Sequence, residues 1–263
     1  MKKLYFPLLL ALLLPLAVAA QSPFDGTWKV DMNKVDFSKK PDVFLLQNGM
    51  YSCKTCAPAY EIKADGADHS VTGHPYVDSV AIKVVNAHEI QETDKKNGKV
   101  VATSTTIASA DGNTVKFKFS DSSNTNGGAP VTGSGEATRV APGPAGSHAI
   151  SGSWRTSKIE GLSDNATVFS YKVSGDEITL TEPTGQTYTA KLNGADAPMK
   201  GDPGITSVSV KMIGKDTLEE TDKRNGKVIG VLKLTVLADG KSAKISYFDA
   251  LQTRTTNSVA TKQ

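Results

Sequence analysis

The chain has 263 residues, 30 Lys and Arg against 27 Asp and Glu, 38% hydrophobic residues and only 6% aromatic ones. A formal charge of +3 with both signs interspersed lacks the basic footprint that phosphate backbones require, so nucleic acid is not an expected partner. The hydrophobic share suffices for a packed core and excludes a wholly disordered chain, and the length allows one domain or two.

Residues 1–20 read as an export signal. Lys2 and Lys3 supply the positive start, Leu4 to Leu16 the apolar run, and Ala17-Val18-Ala19-Ala20 the small residues before cleavage at Gln21. The apolar run is shorter than the roughly 20 residues that span a bilayer and contains Pro7 and Pro15, which argues against an anchor. Removing the two lysines takes the formal charge from +3 to +1 (3 − 2), so the mature chain is nearly neutral. No later run is long enough to span a membrane, and the expected location is periplasmic or secreted.

The remainder is one unit written twice. Glu92-Thr93-Asp94-Lys95-Lys96-Asn97-Gly98-Lys99-Val100 returns 128 residues later as Glu220-Thr221-Asp222-Lys223-Arg224-Asn225-Gly226-Lys227-Val228. Tyr60 and Tyr188, and Ala110-Asp111-Gly112 and Ala238-Asp239-Gly240, keep the same offset, while Gly26-Thr27-Trp28 answers Gly152-Ser153-Trp154. The Pro/Gly-rich stretch 141–149 reads as an interdomain linker, which divides the mature chain into units 21–140 and 150–263.

Within each unit the period is two. Val80, Ile82 and Val84 alternate with Ala81 and Lys83, as Val208, Val210 and Met212 do with Ser209 and Lys211. Val115, Phe117 and Phe119 alternate with lysines, matched by Ala243, Ile245 and Tyr247. Asp65-Gly66, Asn97-Gly98, Asp111-Gly112 and their copies Asn193-Gly194, Asn225-Gly226 and Asp239-Gly240 are hairpin turns by composition. The expected fold is therefore all-β: two tandem antiparallel up-and-down β-barrels or sandwiches of roughly seven to nine strands each. Closure into barrels removes the exposed edges, so barrels are favoured. An outer-membrane barrel is disfavoured, because the chain lacks the aromatic girdles that membrane interfaces demand.

Cys53 and Cys56, followed by His69 and His74, reproduce a zinc-finger spacing. Gly73 and Pro75 oppose the helix that would carry both imidazoles, and the second copy places Thr181, Thr184, Ala197 and Asp202 at the four positions. A disulfide in an oxidising compartment is the favoured reading, with a metal site and a redox pair as the alternatives. Because Thr181-Glu182-Pro183-Thr184 is turn-like, the cysteines are expected at a hairpin turn. His88 and His148 have no recognisable partner, and no nucleophile elbow, phosphate loop or His-Glu-x-x-His motif is present. Neither a catalytic constellation nor a cofactor is expected. The duplicated charged string is expected to straddle a hairpin and form cross-strand ion pairs, with a duplicated docking epitope as the alternative.

Phe24-Asp25-Gly26-Thr27-Trp28-Lys29-Val30-Asp31 resembles the opening strand of the intracellular fatty-acid-binding proteins and the Gly-x-Trp opening of lipocalins. Gly135-Glu136-Ala137-Thr138-Arg139-Val140 resembles the last strand of that calycin superfamily. Ala141 stands where an aromatic residue would complete the last-strand motif, and residues 31–43 are too short for the two lid helices of the fatty-acid binders. The chain is also similar to secreted bacterial proteins built on Gly-Thr-Trp and Asn-Gly-Lys-Val repeats, which implies no activity. The resemblance implies two readings of Arg139: a cation–π partner of Trp28 that closes the barrel, as Lys262 would do for Trp154, or a ligand-binding residue for an anionic head group. The closing pair is favoured because both copies keep a base opposite a Trp.

Ala102, Ser104, Thr106 and Ala108 are smaller than Gly230, Leu232, Leu234 and Val236 as a set, so the first barrel is expected to have more room and a more polar lining. The function expected from these features is non-enzymatic: an exported carrier of a small amphiphilic ligand. An envelope protein-interaction module of inhibitor or adhesion type, with filled barrels, is the alternative.

Overall fold

The computed structural model describes residues 22–263, and the expected export signal lies outside the described residues. Ten strands come from the first copy: β1 (Gly26–Val30), β2 (Asp42–Gln47), β3 (Met50–Cys53), β4 (Tyr60–Lys63), β5 (His69–Ser70), β6 (Ser79–Asn86), β7 (Glu89–Lys96), β8 (Lys99–Ala108), β9 (Thr114–Asp121) and β10 (Val131–Pro142). Ten come from the second: β11 (Gly152–Glu160), β12 (Val168–Ser174), β13 (Glu177–Thr181), β14 (Thr187–Lys191), β15 (Asn193–Pro198), β16 (Ser207–Gly214), β17 (Thr217–Arg224), β18 (Lys227–Val236), β19 (Ser242–Asp249) and β20 (Arg254–Lys262). Two 3-10 turns, Met32–Lys34 and Asp164–Ala166, are the only helical segments among the described residues.

The strands form two antiparallel ten-stranded sheets, each curled into a nearly closed barrel. One runs β4-β3-β2-β11-β10-β9-β8-β7-β6-β5 and the other β14-β13-β12-β1-β20-β19-β18-β17-β16-β15. Single bridges, Asp65 to Lys83 and Thr187 to Lys200, lie beside the two openings. The all-β, two-barrel expectation is met, with more strands than the period-two pattern suggested. A strand as short as His69–Ser70 leaves no alternation to detect.

The sheets do not follow the sequence copies. β11, the opening strand of the second copy, lies between β2 and β10 in the first barrel, and β1 lies between β12 and β20 in the second. Each barrel is completed by the other copy's opening strand. The division at 21–140 and 150–263 is therefore corrected, since the first barrel runs continuously from β2 to β11. Residues 141–149 are the end of β10 and its loop to β11 rather than a linker between units: His148 N–H donates to Leu46 O at 2.9 Å, and the next two residues, Ile150 and Ser151, are buried. The crossings between barrels are residues 31–41 and 161–167. Equivalent opening strands fit either barrel. A local β10–β11 hairpin also closes a far shorter loop than β10 pairing back to β1, at lower entropic cost.

Inward alternation builds one core per barrel. Val80, Ile82, Ile90, Val115 and Trp154 pack in the first, and Trp28, Ile178, Val208, Leu218 and Leu234 in the second. Val84 and Met212 are exposed at the strand ends, so the apolar alternation overruns the core there. Of the six anticipated hairpin turns, Asn97-Gly98 and Asn225-Gly226 have positive φ at both residues, as two-residue turns of that hand require. Asp111 instead caps a wider loop, accepting from Asn113 N–H at 3.0 Å and from Ser109 Oγ–H at 2.6 Å.

Polar contacts join the barrels beyond the exchanged strands. Tyr76 O–H donates to Asp202 Oδ1 at 2.8 Å, and Asn124 Nδ2 donates to Asp202 Oδ2 at 2.9 Å. Asn126 Nδ2 reaches the carbonyls of Thr184 and Gly201, both at 2.9 Å, and Arg254 Nη2 pairs with Asp42 Oδ1 at 2.6 Å.

Candidate functional site: a cavity in the first barrel

The four barrel-closing residues come together with exchanged partners. Arg139 lies over Trp154, its Cζ 4.0 Å from the ring centroid, and Lys262 Nζ lies 4.8 Å from that of Trp28. The anticipated Arg139–Trp28 and Lys262–Trp154 partnerships are corrected for the same reason as the domain boundaries: the tryptophans travel with the exchanged strands. Each indole N–H donates four residues back, Trp28 to Phe24 O at 2.9 Å and Trp154 to Ile150 O at 2.8 Å. Gly152 has φ 135°, and a Cβ there would approach Ala141 O to 2.5 Å and Arg139 Nη1 to 2.7 Å, so the glycine of this Gly-x-Trp is a steric requirement.

Arg139 does not line the cavity, which corrects its reading as an anion-binding residue. Nη1 donates to Ser151 O at 2.6 Å, Nη2 to Ala149 O at 2.7 Å and Nε to Gly112 O. These three carbonyls and the Trp154 ring occupy the guanidinium at the barrel end.

Cys53 and Cys56 form a disulfide in the β3–β4 connection. His69 opens β5 with its Nε2 2.8 Å from Asp65 Oδ1, while His74 meets the Tyr60 ring edge-on at 5.7 Å. Burial and the nearby Arg224 guanidinium hold the His74 pKa below its ordinary value. No group of three or more His, Cys, Asp or Glu side chains is placed to hold a metal among the described residues. His88 is exposed beside the β6–β7 turn, and His148 packs on the first barrel with Nε2 2.7 Å from Asn86 O.

A cavity of about 320 Å³ opens inside the first barrel. Its apolar wall includes Phe44, Tyr51, Phe117, Phe119 and Trp154, and its polar wall includes Asp42, Glu92, Ser104 and Thr106. Ser104 and Thr106 are two of the residues expected to give this barrel room. Register equates Ser104, paired with Phe119, to Leu232, paired with Tyr247, and Thr106 to Leu234, which is fully buried. A larger and more open depression of about 660 Å³ follows the crossing segments, with Lys29, Asp31, Lys158, Glu160 and Asp164 along it. It is an open surface groove of mixed charged and aliphatic lining, whereas the first-barrel cavity is more enclosed and combines aromatic walls with a few polar groups, the usual make-up of a small-molecule site.

Glu92 and Asp94 are the functional candidates missed by the sequence reading. The string Glu92 to Lys96 does not simply display charge: Ile90, Glu92 and Asp94 share the inner face of β7, and a bulge follows between Asp94 and Lys95. Lys95 turns to Asp68 at 2.5 Å, and Lys223 pairs likewise with Asp196, so the ion pairs form outside while the acids face in. The detectable signal was the two-residue spacing of Glu92 and Asp94 from Ile90, repeated from Leu218 to Glu220 and Asp222.

Burial raises the pKa of Glu92, with Tyr60 O–H donating to Oε1 at 3.2 Å in opposition. Burial, then repulsion from Glu92 and Asp121, pushes Asp94 up to about 8. Asp94 Oδ1 is buried without a hydrogen-bond partner. In the second barrel Glu220 accepts from Tyr188 O–H and, at 3.4 Å, from Tyr171 O–H, and Tyr247 donates to Asp222. Burial, then Asp222, raises Glu220 to about 8.

No protein-family model matches the chain, and no curated protein shows significant similarity to it.

Proposed function

We propose that this chain is an exported, non-enzymatic protein that binds a small amphiphilic ligand in the first of two calycin-like barrels. The observation that carries this proposal is the asymmetry between copies: a cavity of about 320 Å³ lies beside Ser104 and Thr106, whereas the second copy places Leu232 and Leu234 at those positions. One barrel is open to a ligand, and the other is packed at the same positions. Export is supported by the leader composition and by a disulfide, which an oxidising compartment preserves.

The test is the double variant Ser104→Leu/Thr106→Leu, which copies the second barrel into the first. It is expected to stay folded and to lose binding of a fluorescent apolar probe that the parent protein takes up. A parent protein that takes up no probe, or a variant that binds as well, overturns the proposal.

A second reading, an envelope protein-interaction module, draws on a duplicated exposure. Val84, Val85 and Val100 are exposed apolar residues, and so are their counterparts Met212, Ile213 and Val228. Capture of an envelope protein that is lost on Val85→Lys/Ile213→Lys supports this second reading, and unchanged capture refutes it.

A further inference from the structure

We infer that the ligand of the first barrel is a cation, an aromatic or aliphatic amine whose ammonium group is held by Glu92. The inference rests on the binding function proposed above and deepens it by assigning the ligand's charge.

Three independent features converge. First, Asp42 and Glu92 are the charged residues lining the cavity, and no Lys, Arg or His lines it among the described residues. Asp42 is already neutralised by Arg254 of the second barrel at 2.6 Å, which leaves Glu92 to face a ligand. The base that the family resemblance would assign to an anionic head group, Arg139, is spent on backbone carbonyls.

Second, the two copies satisfy their acid pairs differently. Phe44 is equivalent to Tyr171, since Gly152 pairs with Phe44 as Gly26 pairs with Tyr171. Phe119 is equivalent to Tyr247 through their partners Ser104 and Leu232. The second barrel therefore hydrogen-bonds its acid pair to the hydroxyls of Tyr171, Tyr188 and Tyr247, whereas in the first Tyr60 makes such a bond, Tyr51 faces the pair without one, and phenyl rings stand at the places of Tyr171 and Tyr247. Each pair also keeps one buried acceptor without a donor, Asp94 Oδ1 in the first barrel and Asp222 Oδ1 in the second, so the difference between the copies lies in the tyrosine hydroxyls and in the open cavity beside the first pair. Acceptors short of donors, next to a cavity, fit a ligand that brings N–H groups of its own.

Third, Phe44, Tyr51, Phe117, Phe119 and Trp154 surround the same space. Their negative ring faces favour a cation and their surface favours an apolar body, whereas a carboxylate would meet Glu92 with like charge.

The groups facing Glu92 and Asp94 are Asp42 on β2, Tyr51 on β3, Tyr60 on β4 and Asp121 on β9, with Arg254 reaching Asp42 from β20. With Asp94 pushed up to about 8, the empty pair retains a proton at neutral pH and releases it when an ammonium arrives.

The experiment compares 4-phenylbutylamine, 4-phenylbutanol and 4-phenylbutanoate by calorimetry at pH 7.5 in two buffers of different ionisation enthalpy. The amine is expected to bind with proton release and at least about tenfold more tightly than the carboxylate, the order of effect that one hydrogen bond to a charged group produces. Glu92→Gln is expected to remove the preference for the amine. Phe119→Tyr, which restores the second barrel's hydroxyl, is expected to weaken it and serves where Glu92→Gln fails to fold. Equal binding of alcohol or carboxylate, or a preference unchanged in both variants, overturns the cation assignment and leaves ligand binding standing. No binding of any of the three, together with no uptake of the apolar probe, overturns both.

Discussion

Cleaving the β10–β11 loop tests the strand exchange directly. A protease site placed at residues 144–147 divides the chain into one fragment that carries β1 through β10 and another that carries β11 through β20. If each copy closed its own barrel, the fragments would share only surface contacts and would separate. In the exchanged arrangement, separation pulls Trp28 out of the second barrel and Trp154 out of the first, where they are 0% and 2% exposed. A buried Trp covers roughly 150–250 Å², about 4–6 kcal/mol at about 25 cal/mol per Å². The two together oppose separation by about 8–12 kcal/mol before any backbone pairing is counted. Both exchanged strands are also hydrogen-bonded on two sides, each bond adding about 0.5–1.5 kcal/mol net. Against an association cost of roughly 4–15 kcal/mol, the nicked protein is expected to remain one particle at micromolar concentration. Native size-exclusion chromatography with mass detection reads this, and denaturant should release both fragments. Two separately eluting fragments, each with a blue-shifted tryptophan emission, would show that each copy closes alone and refute the exchange.

Arg139→Met should cost about 2–4 kcal/mol in urea denaturation, because it strands three carbonyls and removes a ring contact, whereas Lys262→Met, with one carbonyl contact, should cost about 1 kcal/mol or less. Equal losses would mean that the carbonyl contacts do not matter. Glu220 has a folded pKa raised to about 8, so the folded state binds the extra proton between the ordinary carboxylate range and that value. Its contribution is complete in acid and is lost as pH rises, so the denaturation midpoint should fall from pH 5 to pH 8 and fall less in Glu220→Gln; a midpoint that rises across this window contradicts the buried-acid assignment. The Cys53–Cys56 bridge closes a very short loop, so reducing it should cost no more than about 2 kcal/mol and leave the fold intact by circular dichroism; complete unfolding on reduction would contradict this.

The strand pattern, the duplication, the two tryptophans and two bases of the barrel ends, though not which base meets which tryptophan, and the difference in lining size were legible in the chain. Each is a local property: alternation of side chains, a turn pair such as Asn97-Gly98 that favours positive φ, or a small residue where the copy has a large one. The direction in which Glu92 and Asp94 point was harder to see. Alternation groups residues on one face but does not say which face is the interior, and a charged string is ordinarily solvated. The pattern from Ile90 pointed inward, and the neighbouring lysines masked it until the bulge before Lys95 separated the two sets.

Sequence alone determined that two copies of a β-meander exist, where the Asn97-Gly98 and Asn225-Gly226 hairpins fall, and which residues seal the barrel ends, whereas Asp65-Gly66 and Asn193-Gly194, expected as hairpin turns, lie at the barrel openings. Only the tertiary structure decided which opening strand completes which barrel, because Gly26-Thr27-Trp28 and Gly152-Ser153-Trp154 carry nearly the same local information. The choice lies in loop closure and long-range pairing: β10 turns back onto the adjacent β11, and β1 is left to complete the second barrel. The surroundings of the acid pairs differ instead through substitutions within each copy, which set one pair among three tyrosines and the other beside an open, aromatic-walled space.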